Sequence, residues 1–207
     1  MNYETLDDFS SIIDDLLALY YDAIRGFRNN YFIKNSETLG QEGDAIIYPE
    51  KSKQIDNSEI ETLYANKESY QTTVKNYKER NAYYGKNHSN IGNLIICQLY
   101  AYWEDYYRDR IAQDLRIKKS KLSLNIFGDL RHLRHSILHH RAIALDTVEK
   151  CKILSWFKKG DEITLYENQI DIIINHVRTT IYFLRNSYKI NSPEKYLLIQ
   201  EFWNKSN

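Results

Sequence analysis

Apolar residues recur at helical spacing along most of the chain, and that rhythm predicts its elements. Ile12, Ile13, Leu16, Leu17, Leu19, Tyr20, Ile24 and Phe27 form a broad stripe over residues 6–31 and predict a first helix there. Gly40, Gly43 and Pro49 break the pattern over 35–57, which reads as an exposed, irregular insertion. A polar helix is expected over 58–80, with Leu63, Tyr70, Val74 and Tyr77 on one side. A second break follows over 81–93. Leu94, Ile95, Leu99, Tyr102, Trp103, Tyr106, Ile111 and Leu115 then predict a strongly apolar helix over 94–116.

A short basic connector at 118–124 leads to a helix that begins near 126. Leu130, Leu133, Ile137, Ala144, Leu145 and Val148 share one arc of a 100° wheel, so this helix is expected to continue to about 154, with a break near Asp146. Residues 157–163 read as a turn with brief extended flanks. A long helix over 168–188 and a short one after Pro193 close the chain. Five to seven helices with short connections imply an all-α antiparallel bundle, taken as one domain over 1–207.

Composition supports that class. Two prolines and seven glycines, against 43% apolar residues, fit a helix-rich globule better than a loop-rich or disordered chain. Cys97 and Cys151 stand far apart without metal-ligand spacing and read as buried thiols in a reducing compartment. The first residues lack a basic-then-apolar signal pattern, and no run approaches the ~20 apolar residues of a membrane span. A cytoplasmic location without membrane attachment is the expectation.

Net charge is zero, but its distribution is uneven. Residues 1–70 hold 14 acids and 6 bases, whereas 108–141 hold 9 bases and 3 acids. Lys118, Lys119, Lys121 and Arg141 in this basic stretch are candidates for contact with RNA phosphates. The same stretch contains Gly128-Asp129-Leu130-Arg131-His132-Leu133-Arg134-His135-Ser136-Ile137-Leu138-His139-His140-Arg141, with four of the six histidines. Histidine exchanges protons near neutral pH, and arginine clamps phosphate with a planar fork.

The wheel divides this cluster. His132, His135 and His139 fall on the polar side with Asp146, while Arg134 lies at the edge of the apolar arc beside Ile137 and Leu138. A guanidinium there needs a partner or a cleft. Glu104 and Asp105 of the preceding helix are the natural ion-pair partners; otherwise the face is a dimer seam or cleft where Arg134 meets a phosphate. His132, His135 and His139 could also meet one metal ion. No carboxylate pair accompanies them, and Arg131 and Arg134 would repel a cation. No metal and no cofactor are expected.

Arg134-His135-Ser136-Ile137-Leu138-His139 resembles the signature of the HEPN superfamily, an arginine with a polar residue directly after it and a histidine five positions on. The Gly-Asp-Leu-Arg lead-in and the preceding helix carrying Trp103-Glu104-Asp105 strengthen the likeness, which covers residues 92–188. The resemblance implies an all-helical domain that pairs as a homodimer with two motifs across a shared cleft. Active members are metal-independent endoribonucleases, often toxins of toxin–antitoxin or phage-defence systems, so an antitoxin protein is an implied partner. Carried onto this chain, Arg134 and His139 are the catalytic pair and His135 their polar helper. Glu104 would orient Arg134, with Asp129 and Arg131 in support. In members silenced by nucleotide transfer, a tyrosine stands two residues after the motif histidine. Here that residue is Arg141, so this route of control does not carry over. The alternative is an inactive HEPN-like module that binds RNA or protein.

Overall fold

The computed structural model describes residues 3–36, 45–48 and 70–189. It is mostly helical, in line with the periodicity. The chain gathers into two compact units, one of residues 1–24 with 89–207 and one of residues 25–88. The expected helix after Pro193 lies outside the described residues.

In the first unit, residues 4–24 of α1 (Glu4–Ser36) begin the core. Leu6, Phe9, Ile13, Leu16, Tyr20 and Ile24 recur every three or four residues and are all buried. Leu19, which the apolar stripe included, is 56% exposed. α3 (Lys86–Tyr102) runs through a π-helical turn (Trp103–Tyr107) into α4 (Arg108–Asp114). The backbone N–H of Arg108 donates to the carbonyl of Trp103, which marks the wider turn. In that turn the Trp103 ring stacks on Phe127 at 3.9 Å and 8°, and Phe9 of α1 lies against Trp103, Tyr107 and Phe127. The aromatic cluster therefore ties α1 and the π turn to α5 (Asn125–His139).

α6 (Glu167–Lys189) buries Ile170, Ile173, Ile174, Val177, Ile181 and Leu184. Its polar side pairs with the acidic side of α1: Arg178 with Asp14 at 2.5 Å, Arg185 with Asp7, and Tyr21 donating to Asp171 at 2.5 Å. Such exposed pairs contribute at most about 1 kcal/mol each, so they align the helices more than they hold them. The segment before α6 is fixed on α3 at close quarters. Asn93 Nδ2 donates to the Ile163 carbonyl at 2.9 Å, and a Cβ on Gly92 would lie 2.2 Å from the Leu165 carbonyl oxygen. Only glycine allows that approach.

The second unit departs from the sequence expectation. Ala45–Tyr48 (β1) pairs antiparallel with Tyr70–Thr73 (β2), with Ala45 opposite Thr73. The insertion is thus not wholly irregular. The polar helix expected over 58–80 is observed only as α2 (Val74–Asn81), since the Thr73 hydroxyl accepts from the Asn76 amide and starts the helix there. Residues 58–69 lie outside the described residues. The second break is also shorter than expected, because α3 starts at Lys86.

The largest correction concerns the motif helix. α5 ends at His139 and does not continue to 154. Arg141 and Ala142 adopt left-handed backbone (φ 54° and 62°), and the Ala142 amide returns to the Ile137 carbonyl at 3.3 Å. This is a Schellman-type end built without glycine. Buried Ser136 secures it: its hydroxyl donates to the His132 carbonyl and accepts from the Leu145 amide, each at 3.2 Å. Residues 142–144 then pair with 160–163 through Ala144 N–H to Asp161, Gly160 N–H to Ala144 and Ile163 N–H to Ala142. A short 3₁₀ helix (Asp146–Lys150) brings the chain back to α5.

There Asp129, 2% exposed, receives three successive amides. Lys152 donates at 2.9 Å, Ile153 at 2.7 Å and Leu154 at 2.9 Å. Among the described residues no helix is long and apolar enough to cross a membrane. Replacing Asp129 by Asn turns a carboxylate oxygen into a donor that faces other donors. The expected loss is about 3 kcal/mol, the scale of bonds to a buried charged group. Urea unfolding checks this; an unchanged midpoint would show that the 152–154 amides do not depend on the carboxylate.

Candidate functional site

Leu130 and Leu133 set α5 against the core, and that places Arg134 at the boundary the wheel indicated. Arg134 is half-buried, with its guanidinium carbon 5.7 Å from the centre of the Tyr100 ring. It lines a cavity of about 370 Å³. Tyr100, Glu104 and Asp105 form one wall, Arg131, His132 and His135 share the other with Arg134, and Thr147 of the 3₁₀ helix closes it. That volume lies within the range of small-ligand sites.

Two polar atoms of this cavity stand buried without a hydrogen-bond partner, Arg134 Nε and Thr147 Oγ1. Each leaves a desolvated group uncompensated at about 1–3 kcal/mol. Among the described residues Arg134 makes no ion pair. Glu104, expected to orient it, is committed elsewhere: Oε2 accepts from Arg108 at 2.8 Å and Oε1 lies 3.2 Å from Lys119. Lys119 also donates to the Glu104 carbonyl at 2.8 Å. Burial pushes the Glu104 carboxyl up, but the hydrogen bonds from Arg108 and Lys119 outweigh it and hold the group below its ordinary range. Burial, and then the Glu104 charge, push the Tyr100 phenol up, so it stays protonated and offers its ring to Arg134.

The expected catalytic histidines divide between the cavity and the surface. His135 is exposed and lines the cavity, and its ring lies 5.1 Å from His139 and 5.7 Å from His140. His139, the last residue of α5, is exposed and approaches Arg134 through His135 rather than by lining the cavity with it. His132 is half-buried; burial, then the neighbouring Arg131 charge, lower its pKa. His176 on α6 is lowered by burial as well.

Among the remaining candidates, Arg131 is exposed at the cavity and Asp129 is the buried amide acceptor described above. Lys118, Lys121 and Arg141 are exposed, whereas Lys119 is held by Glu104. Burial pushes the Cys97 thiol up to about 11 and the Cys151 thiol up to about 12, which leaves both poor nucleophiles. Among the described residues no group of three or more His, Cys, Asp or Glu side chains is placed to hold a metal. Thr147 and Arg108 are the residues that sequence reasoning missed. Thr147 carries no motif, and it reaches the cavity only because the chain turns back after His139.

Two consequences are measurable. Thr147→Val keeps the shape and removes the unpartnered hydroxyl, so it should stabilise the protein by about 1 kcal/mol, read as a higher urea midpoint; destabilisation would show that the hydroxyl has a partner. His132 and His176 have folded pKa values below the unfolded ~6.5. The unfolded chain therefore takes up protons first, and stability should fall as pH drops below ~6.5 towards the lowered folded values. A His132→Asn, His176→Asn double variant should flatten that decline in denaturation curves taken between pH 7 and 5.

Comparison with models of protein families, with curated proteins and with solved structures finds no match for this chain.

Proposed function

We propose that the chain is a metal-independent endoribonuclease of the HEPN type, built on an HEPN-like helical bundle and active as a homodimer. The biological setting that fits is a toxin or phage-defence effector restrained by an antitoxin. One observation carries the reading: Arg134, the motif arginine, lies half-buried in a cavity without an ion pair among the described residues, beside His135, whose ring in turn neighbours that of His139. A guanidinium so placed is matched to an anion supplied from outside.

The chemistry follows from the residue types. The ribose 2′-oxygen attacks the adjacent phosphorus while its proton passes to a base; the bond from phosphorus to the 5′-oxygen breaks, and that oxygen receives a proton. His139 serves as the proton carrier, with His135 between it and the cavity. Arg134 offsets the charge that builds on the non-bridging oxygens. The products are a 2′,3′-cyclic phosphate and a 5′-hydroxyl, and DNA resists for want of the 2′-oxygen. Since His139 lies outside the cavity lining, pairing of two copies across a shared cleft is what would bring two motifs to one RNA strand.

The test is incubation of the purified protein with structured RNA in EDTA, beside Arg134→Ala and His139→Ala. Each variant should lose about 10²–10⁴-fold in rate, and end-group analysis should find cyclic phosphate. Equal cleavage by all three proteins would refute the reading. RNA binding with a salt slope but no cleavage would instead identify an inactive binding module.

A further inference from the structure

A second, smaller cavity of about 110 Å³ adjoins the first and shares Tyr100, Glu104 and Arg131 with it. Its other walls include Arg108, Ser123 and Gly128. It has room for only about three or four waters, so it suits a compact group rather than a nucleoside. Arg108 is anchored through Nε to the Leu122 carbonyl at 2.9 Å and through Nη1 to Glu104 at 2.8 Å. Its remaining nitrogen, Nη2, takes no hydrogen bond among the described residues. Arg131 is exposed and belongs to both cavities. Three arginines thus flank two adjoining cavities in the order Arg108, Arg131, Arg134.

Gly128 adds an independent observation. It sits within α5, where glycine is less favourable than alanine. A Cβ built on it would meet nothing within 4 Å, so no neighbour in the fold requires its bareness. It does line the small cavity. Along α5, Gly128 and Arg134 are six residues apart, about 9 Å on the axis, and the two cavities they line share a wall.

Resting on the ribonuclease reading, we infer that the small cavity is a subsite for a second RNA phosphate, next along the strand from the one held by Arg134. Arg131 lies between the two phosphates, Arg108 Nη2 holds the second, and Gly128 leaves the ligand oxygens free to approach α5. The enzyme would then favour substrates with at least one phosphate beyond the scissile one.

Binding of fluorescent 2′-O-methyl oligonucleotides, which lack the attacking hydroxyl, tests this without turnover. A dinucleotide with one phosphate is compared with a trinucleotide with two, by anisotropy over a salt series. In the wild type the trinucleotide should bind about tenfold more tightly, the scale of one charge-assisted contact, with a salt slope steeper by about 0.7. Gly128→Leu, which fills the cavity, should erase both differences. Gly128→Ala should narrow them while raising the melting temperature through better helix propensity, an opposition that a purely structural role would not produce. An equal affinity for the two ligands in the wild type, or a difference that survives in Gly128→Leu, overturns the subsite. If dinucleotide binding is absent, or is unaffected by Arg134→Ala, the failure belongs to the Arg134 reading instead.

Discussion

Asp129 is a buried carboxylate whose oxygens are met by the three successive amides of residues 152–154. Bonds of this kind are roughly twice as strong as neutral ones, and a carboxylate left without them in the core would be severely destabilised. The geometry of the candidate site depends on that constraint. Drawing 152–154 onto the first half of α5 forces the chain to leave the helix after His139 and return within a dozen residues. The return places Thr147 across from Arg134. Without the Asp129 bonds, the 3₁₀ helix would have no fixed seat and the cavity would lose a wall.

The price of the return is backbone strain. Two consecutive non-glycine residues, Arg141 and Ala142, take left-handed conformations that disfavour a Cβ by roughly 1–2 kcal/mol each. Ser136 compensates by fixing the chain on both sides of the turn. This turn was the feature least legible in the sequence. Ile137, Ala144, Leu145 and Val148 keep helical spacing across it, and neither glycine nor proline marks the end. Ala144 and Val148 are buried as a helix would have buried them, but through the 142–144 pairing and the 3₁₀ helix. Periodicity reports burial, and here two different backbones satisfy the same pattern of burial.

The long helices were legible because each carries its stripe over several turns: α1, α3 with its π turn, and α6 lie close to where spacing placed them. The stripe expected over 58–80 rested on four spaced residues, and over 70–80, the part described, strand pairing and the Thr73 cap set the backbone instead. For the site, the wheel placed Arg134 correctly at the edge of the apolar face. It could not assign partners, because Glu104, Arg108 and Lys119 are brought together by the π turn and a 3₁₀ turn at Lys119–Lys121, neither of which has a sequence period.

The commitment of Glu104 changes the electrostatics more than a missed contact would suggest. Had its carboxylate paired with Arg134, the motif arginine would have been neutralised in place and an incoming phosphate would have had to displace it. Instead Arg108 and Lys119 neutralise Glu104, and its carboxyl stays ionised through their hydrogen bonds. The negative charge thereby organises the wall of the site without competing for Arg134. Because Tyr100 remains a neutral phenol, the half-buried guanidinium faces a ring and not an anion. A cation kept in a partly desolvated cavity without an ion pair among the described residues is poised to gain more from an entering phosphate than the same cation in water, since the attraction is less screened there. That gain is available only while Glu104 stays occupied, which makes Arg108 and Lys119 determinants of the state of Arg134 without touching it.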